Sequence, residues 1–187
     1  MRRYLEDTIG PARSLLDVSC GDDSSLQHLA TTRGMTCVGC DIALPSVAYL
    51  ARKYPALHFC CSDIHDLPFH RPFDVVLVKN TLHHLPKGQQ AVHLLRNLLQ
   101  LSQRLIIVDV LDPLVDSPRA VLWHYYYRYV LRDDAANFYT QQELVALLTD
   151  AVGGGATVEY TVLPTFKGTY LAAHLKRCPS NGHQSNA

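Results

Sequence analysis

The sequence carries no excess of either charge. Lys and Arg number 17 and Asp and Glu number 17 in 187 residues, so it lacks the bulk basic field that draws a protein to nucleic acid or anionic lipid. Charged residues are also scarce, at 18%, against the usual quarter. No apolar run approaches the roughly 18 residues of a spanning helix. None of signal-peptide length follows Met1-Arg2-Arg3-Tyr4-Leu5. The expectation is a cytoplasmic chain with no integral membrane segment. What is present is 48% hydrophobic residues, enough for one sizeable core in a single domain. The six cysteines, Cys20, Cys37, Cys40, Cys60, Cys61 and Cys178, read as reduced and mostly core-filling, since a chain of this length needs no staples. Cys37 and Cys40 lie an odd number of residues apart within one expected strand, as do Cys60 and Cys61, so each pair projects to opposite faces. That argues against a four-thiolate zinc site and against a redox pair at a helix start, and no metal is expected.

Short apolar runs alternate with runs of helical period. Strands are expected at Ser14–Val18, Thr36–Cys40, Leu57–Ser62, Phe73–Val78 and Arg104–Val110. They are nearly continuous in apolar residues, as strands buried on both faces of a parallel sheet are. Helices are expected at Ser24–Arg33, Pro45–Lys53 and Lys87–Leu101, with Gly34 as a stop and Pro45 in a tolerated first-turn position. Beyond residue 113 the pattern changes. Arg119–Arg132 is an aromatic-rich helix candidate in an insert spanning about 113–139. Thr140-Gln141-Gln142-Glu143 fits a capping box, and Gly153-Gly154-Gly155 ends the helix that it starts. Thr157–Leu163 and Thr169–Leu175 read as a closing hairpin. The fold class is therefore α/β, with one domain over 1–177 and a small polar tail over 178–187 expected to be flexible.

The first strand-to-helix turn, Asp17-Val18-Ser19-Cys20-Gly21-Asp22-Asp23, is where a doubly wound sheet binds its ligand. It has one glycine and three aspartates. A dinucleotide site needs three glycines and a bare helix N-terminus, and carboxylates would repel a diphosphate. A nicotinamide-dinucleotide oxidoreductase is thus the weaker alternative. A cationic adenosyl ligand without phosphate suits the turn better, and S-adenosylmethionine is one. Asp41 closes the second strand 20 residues after Gly21, a distance at which an acid can hold both ribose hydroxyls. The plain alternative for Asp41 is a solvated loop acid.

Five segments in this order resemble the class I S-adenosylmethionine-dependent methyltransferases that act on small molecules and lipids. They are Leu16-Asp17-Val18-Ser19-Cys20-Gly21, Val38-Gly39-Cys40-Asp41-Ile42, Ser62-Asp63-Ile64-His65-Asp66-Leu67-Pro68-Phe69, Phe73–Val76 leading to Asn80-Thr81-Leu82-His83-His84-Leu85, and Arg104–Asp109. The resemblance covers roughly Ser14 to Leu175. It implies a Rossmann-like doubly wound seven-stranded sheet with a C-terminal antiparallel hairpin, in three αβα layers. It implies that Asp17, Ser19, Cys20 and Gly21 line the methionine end of the cofactor, largely through backbone. Asp41 would hold the ribose and Ile42 would pack on the adenine, with Asp63 at the adenine amino group and Ile64 beside the ring. Asn80 would approach from the end of the fourth strand. Ser19 and Asp23 stand where the family usually has glycine. At Asp23 the sequence leaves two readings open, a costly positive φ or a cap for the following helix. The segment before the first strand is short, so the usual cofactor lid would shrink to Arg2, Arg3 and Tyr4.

His83 and His84 are the candidate general bases, since histidine titrates in the useful range and both follow the fourth strand. The plain alternative packs one against the next helix and leaves the other in solvent. Lys79-Asn80-Thr81-Leu82 lacks the Asn-Pro-Pro-aromatic motif of enzymes that methylate amino groups on bases or glutamine, which argues with the neutral charge against nucleic acid. Trp123-His124-Tyr125-Tyr126-Tyr127-Arg128-Tyr129 could be core, a cover over an apolar substrate, or a partner surface. The expected function is methyl transfer to a small-molecule or lipid-like acceptor, and the alternative is a catalytically inactive binding or regulatory protein on the same fold.

Overall fold

The computed structural model describes residues 2–21 and 25–177. Asp23 and the expected flexible tail, 178–187, lie outside the described residues. Seven strands form one sheet: β1 (Ser14–Asp17), β2 (Thr36–Asp41), β3 (His58–Cys61), β4 (Phe73–Lys79), β5 (Ser102–Val110), β6 (Ala156–Pro164) and β7 (Thr169–Arg177). Their order is β3-β2-β1-β4-β5-β7-β6. The first five are parallel, while β7 runs antiparallel between β5 and β6. The order therefore reverses between β1 and β4, which places the ligand crevice at the carboxyl ends of those two strands.

Successive residues of each strand feed opposite faces. Leu16, Val76, Val78, Leu105 and Ile107 pack with α4 (Gln89–Gln100) and α6 (Gln141–Val152). Leu15, Val75, Leu77, Ile106 and Val108 pack with residues of α1 (Arg2–Ile9), α2 (Ser25–Arg33) and α3 (Leu44–Lys53). The result is the three-layer αβα fold expected from the sequence. α4 shows the cause most plainly: Ala91, Val92, Leu94, Leu95, Leu98 and Leu99 form a buried stripe at helical spacing, and a fully buried leucine is worth about 1.5–3 kcal/mol. Gly88, at φ 90°, starts that helix two residues later than expected. α6 begins at the expected capping box: the Thr140 side chain accepts the Glu143 amide at 3.3 Å and Glu143 accepts the Thr140 amide at 2.8 Å. It ends on Gly153 in the left-handed region.

Two local structures depart from expectation. Arg2, Arg3 and Tyr4 open a helix, α1, that carries Leu5 and Ile9 into the core. Tyr4 donates from its hydroxyl to the Ala172 carbonyl at 3.5 Å, so it packs on the sheet layer. The aromatic segment is α5 (Pro118–Tyr125) followed by one π turn, Tyr126–Val130. The cysteines behave as their spacing requires, with Cys37 and Cys40 buried in opposite layers and the five described ones free thiols.

Candidate active site

The crevice is built from the turn after β1 outward. Asp17 is buried at the end of β1 and accepts the Ser19 amide at 3.4 Å. The Cys20 amide donates to the Cys40 carbonyl at 2.9 Å, tying the turn to β2. Gly21 has φ +55°, and among the described residues no atom lies within 4 Å of where a Cβ would stand. Its amide donates to one Asp41 carboxylate oxygen at 2.8 Å, and the other accepts the Ala43 amide at 2.8 Å. Asp17, Ser19, Cys20, Gly21 and Asp41 are thus one connected cluster. Ile42 follows Asp41 with 71% of its surface exposed among the described residues. The crevice thus offers a half-buried carboxylate, which can accept hydrogen bonds, beside an exposed aliphatic side chain. The Cys20 thiol is pushed up to about 12 by burial, and then by Asp17 and Asp41. It stays protonated and is not a nucleophile.

The third segment is less gathered. Asp63 is exposed and accepts the His65 amide at 2.9 Å. Ile64 is half-buried and lines a groove with Leu67, Phe69 and Leu98, on the α4 side. Asn80 sits just past β4 at φ 53°, a conformation that asparagine tolerates better than most residues. Its amide donates to the Val108 carbonyl at 2.9 Å.

Beyond Asn80 a short 3-10 turn, Leu82–His84, carries the two candidate histidines. His83 is buried, with 4% of its surface exposed. Its Nδ1 contacts the carboxylate of Asp109, itself buried near the end of β5. Asp109 also accepts the amides of Thr81 at 3.1 Å, Leu82 at 2.6 Å and Val110 at 2.8 Å. This carboxylate holds the whole turn and fixes the imidazole by one nitrogen, which leaves Nε2 for other chemistry. The Thr81 hydroxyl contacts that of Ser19, joining the turn after β4 to the turn after β1. His84 is more exposed, with Asp134 at 3.2 Å from Nδ1 and Asp133 at 3.8 Å from Nε2. Among the described residues, His83, His84 and Asp133 form a cluster whose metal-competent atoms lie within 4.8 Å of one another.

Both histidines and Asn80 open onto a cavity of about 160 Å³. α5, the π turn after it, the segment leading to α6 and the β6–β7 hairpin supply its other walls, with Trp123, Tyr127, Phe138 and Tyr170 as the main aromatic faces. Phe138 stacks on the His83 ring at 5.3 Å. Burial raises the Tyr170 phenol above its ordinary range, with Tyr127 adding to the shift, so Tyr170 serves as a hydrogen-bond donor. The aromatic segment divides by face: Trp123 and Tyr127 line the cavity, while Tyr125, Tyr126 and Tyr129 are exposed. Sequence reasoning gave no role to Thr81, Asp109 or Lys167. Asp109 carried a signal, since an acid that ends an apolar strand of a parallel sheet lies at the ligand edge.

Residues 16–107 match the family model of the methyltransferase domain. No curated protein matches the chain in sequence. Solved structures share its fold. A possible exported protein from Bordetella parapertussis superposes with a TM-score of 0.75 at 16% identity, over 95% of this chain and 66% of the other. The chain therefore spans just under two thirds of that protein's length. A SAM-dependent methyltransferase from Methanosarcina mazei gives 0.69 at 17% identity, over 94% and 98% of the two chains. Magnesium protoporphyrin IX methyltransferase from Synechocystis PCC 6803, crystallised with S-adenosylhomocysteine, gives 0.70 at 18% identity, over 95% and 80%. With the strand order and the matched segment in agreement, the chain carries a methyltransferase domain on the fold of the S-adenosylmethionine-dependent methyltransferases, and S-adenosylmethionine is the cofactor consistent with that domain.

Proposed function

We propose that the protein methylates a small-molecule acceptor whose nucleophile loses a proton to His83. The observation that carries this is the buried His83–Asp109 pair, which opens into a one-ring cavity past the end of β4. On this reading Asp41 holds the ribose, Ile42 covers the adenine, and Asp17, Ser19, Cys20 and Gly21 shape the methionine end, with Asp63 and Ile64 further out and Asn80 at the cavity. When bound, the cofactor supplies a methyl group on a sulfonium, and on transfer the C–S bond breaks with its electron pair left on sulfur. The chain's own part is alignment and exclusion of water. Asp109 accepts the Nδ1 proton of His83, so that Nε2 is the base, and it stabilises the imidazolium that results. Asn80 and Phe138 set the walls beside it.

A cavity this size favours a compact acceptor over a lipid chain. The neutral charge and the Asn80-Thr81-Leu82 sequence favour it over nucleic acid. The free thiols favour a reducing compartment such as the cytoplasm. Among the described residues no helix is long and apolar enough to cross a membrane.

The test is cofactor turnover with a panel of phenols, thiols and amines, for the wild type and His83→Ala. A proton-losing acceptor should be methylated, and the variant should be slower by about 10²–10⁴-fold while binding S-adenosylhomocysteine as before. An unchanged rate would remove His83 from the chemistry. A rate abolished by chelation and restored by a divalent cation would instead give His83 Nε2 to a metal shared with His84 and Asp133.

A further inference from the structure

Lys167 lines the same cavity from the loop between β6 and β7, an element separate from the histidines' turn. Its surroundings resemble those of Lys53, which rests on Tyr49 and Tyr54, and differ from those of the ion-paired cations. Lys87, Lys176 and Arg96 each meet a carboxylate, at 3.2, 3.3 and 3.3 Å. Among the described residues, no carboxylate lies within ion-pair reach of Lys167. Its ammonium rests on aromatic groups instead. It stands 5.1 Å from the Trp123 ring centre and 5.5 Å from that of Tyr127, and it donates to the Tyr127 hydroxyl at 2.9 Å. An ammonium has three donors, so two remain for a ligand. The loop that carries it is pinned. The Thr165 amide donates to the Gly168 carbonyl at 3.0 Å, and the Lys167 amide donates to the Thr165 hydroxyl at 3.2 Å. Phe166 lies edge-on to Trp123, which ties the loop to α5.

Among the described residues the one carboxylate that lines the cavity, Asp133, stands beside His84, while Asp116, behind the Lys167 loop, is taken up by the Thr169 amide and hydroxyl. An anionic group is drawn to Lys167 and repelled from Asp133. The volume, about 160 Å³, is that of a single ring, since an apolar cavity of about 150 Å³ binds one benzene. Trp123, Tyr127, Phe138 and Tyr170 offer flat walls to such a ring. A cationic ligand would have to displace Lys167 from its own aromatic partners.

We infer that the acceptor is a one-ring aromatic acid, whose carboxylate is held by Lys167 and whose hydroxyl is thereby turned to the His83 side. The inference rests on the methyl-transfer reading for the word acceptor, but the binding site itself does not.

The test is calorimetric titration of the full chain, saturated with S-adenosylhomocysteine, with 3- and 4-hydroxybenzoate and with phenol. The wild type should bind one of the acids at least about tenfold more tightly than phenol, as charge-assisted hydrogen bonds require. Lys167→Met should erase that ratio, and Lys167→Arg should keep most of it. Lys167 is exposed, so neither variant should disturb folding, and an unchanged thermal midpoint checks this. Equal binding of acid and phenol by the wild type, or a ratio that survives in Lys167→Met, would overturn the inference. Turnover with S-adenosylmethionine separates the two ideas. Acid binding that depends on Lys167 without methylation keeps the subsite and sinks the methyl-transfer reading. Methylation that ignores Lys167 does the reverse.

Discussion

Replacing Asp109 with asparagine changes one atom and tests two roles at once. The carboxylate accepts from Thr81 and Leu82 through one oxygen, and meets Val110 and His83 through the other. Asparagine keeps one of those oxygens and puts an NH₂ in place of the other. If the remaining oxygen stays with the Thr81 and Leu82 amides, the NH₂ faces the Val110 amide and the His83 ring. The Val110 donor is then left without its acceptor. His83 must accept at Nδ1, which moves its own proton to Nε2 and ends its use as a base. A buried group stripped of its partner costs about 1–3 kcal/mol, or roughly 2–12 °C in thermal midpoint for a domain of this size. The rate should fall by about 10²–10⁴-fold, the usual worth of a general base. Differential scanning calorimetry and turnover at saturating cofactor read the two effects separately. A lowered midpoint with full activity would make Asp109 a structural residue only. No change in either would refute the network.

Two further outcomes follow from packing and charge. A Cβ on Gly39 would stand 2.8 Å from Phe59, 2.9 Å from Leu26 and 3.0 Å from the Cys20 sulfur. Gly39→Ala should therefore lose about 1–3 kcal/mol by overpacking in a denaturant titration, and a neutral result would mean that these side chains shift freely. His174, buried on β7 with its Nε2 lacking a partner, is pushed down to about 4 by burial, with Lys176 and Arg104 adding to it. The unfolded chain binds the His174 proton already at about 6.5. The native state is therefore favoured in full above that pH and loses stability as pH falls to about 4, by up to about 3 kcal/mol. His174→Leu should flatten that slope in urea titrations at successive pH values, and an unaltered slope would assign the acid sensitivity to other groups.

The strands were legible because burial on both faces leaves runs such as Val75-Val76-Leu77-Val78 with no polar interruption. Gly34, Gly153 and the Thr140–Glu143 box marked helix ends by local chemistry alone. α1 was not legible, since among its described side chains only Leu5 and Ile9 are fully buried, with Tyr4 packed beside them, and its helix depends on that docking. The acids of the crevice were legible in their order, but the bond from the Gly21 amide to Asp41 was not. Of the residues around the cavity past β4, the sequence singled out Asn80, His83, His84 and the aromatic segment. The histidines' turn is held by a carboxylate 26 residues away, the Ser19–Thr81 contact spans 62 residues, and Lys167 meets Tyr127 across 40. Such pairings are set by topology, and local periodicity carries no trace of them.

The most direct test of the crevice is calorimetric titration of the wild type and Asp41→Ala with S-adenosylhomocysteine, alongside the unliganded thermal midpoint of each. The expected result is one-to-one binding by the wild type, weakened by roughly 5–150-fold in the variant, as loss of 1–3 kcal/mol of hydrogen bonding requires. Equal affinity in the two proteins, with folding intact, would contradict the assignment of Asp41 and of the Gly21–Asp41 crevice as the cofactor site.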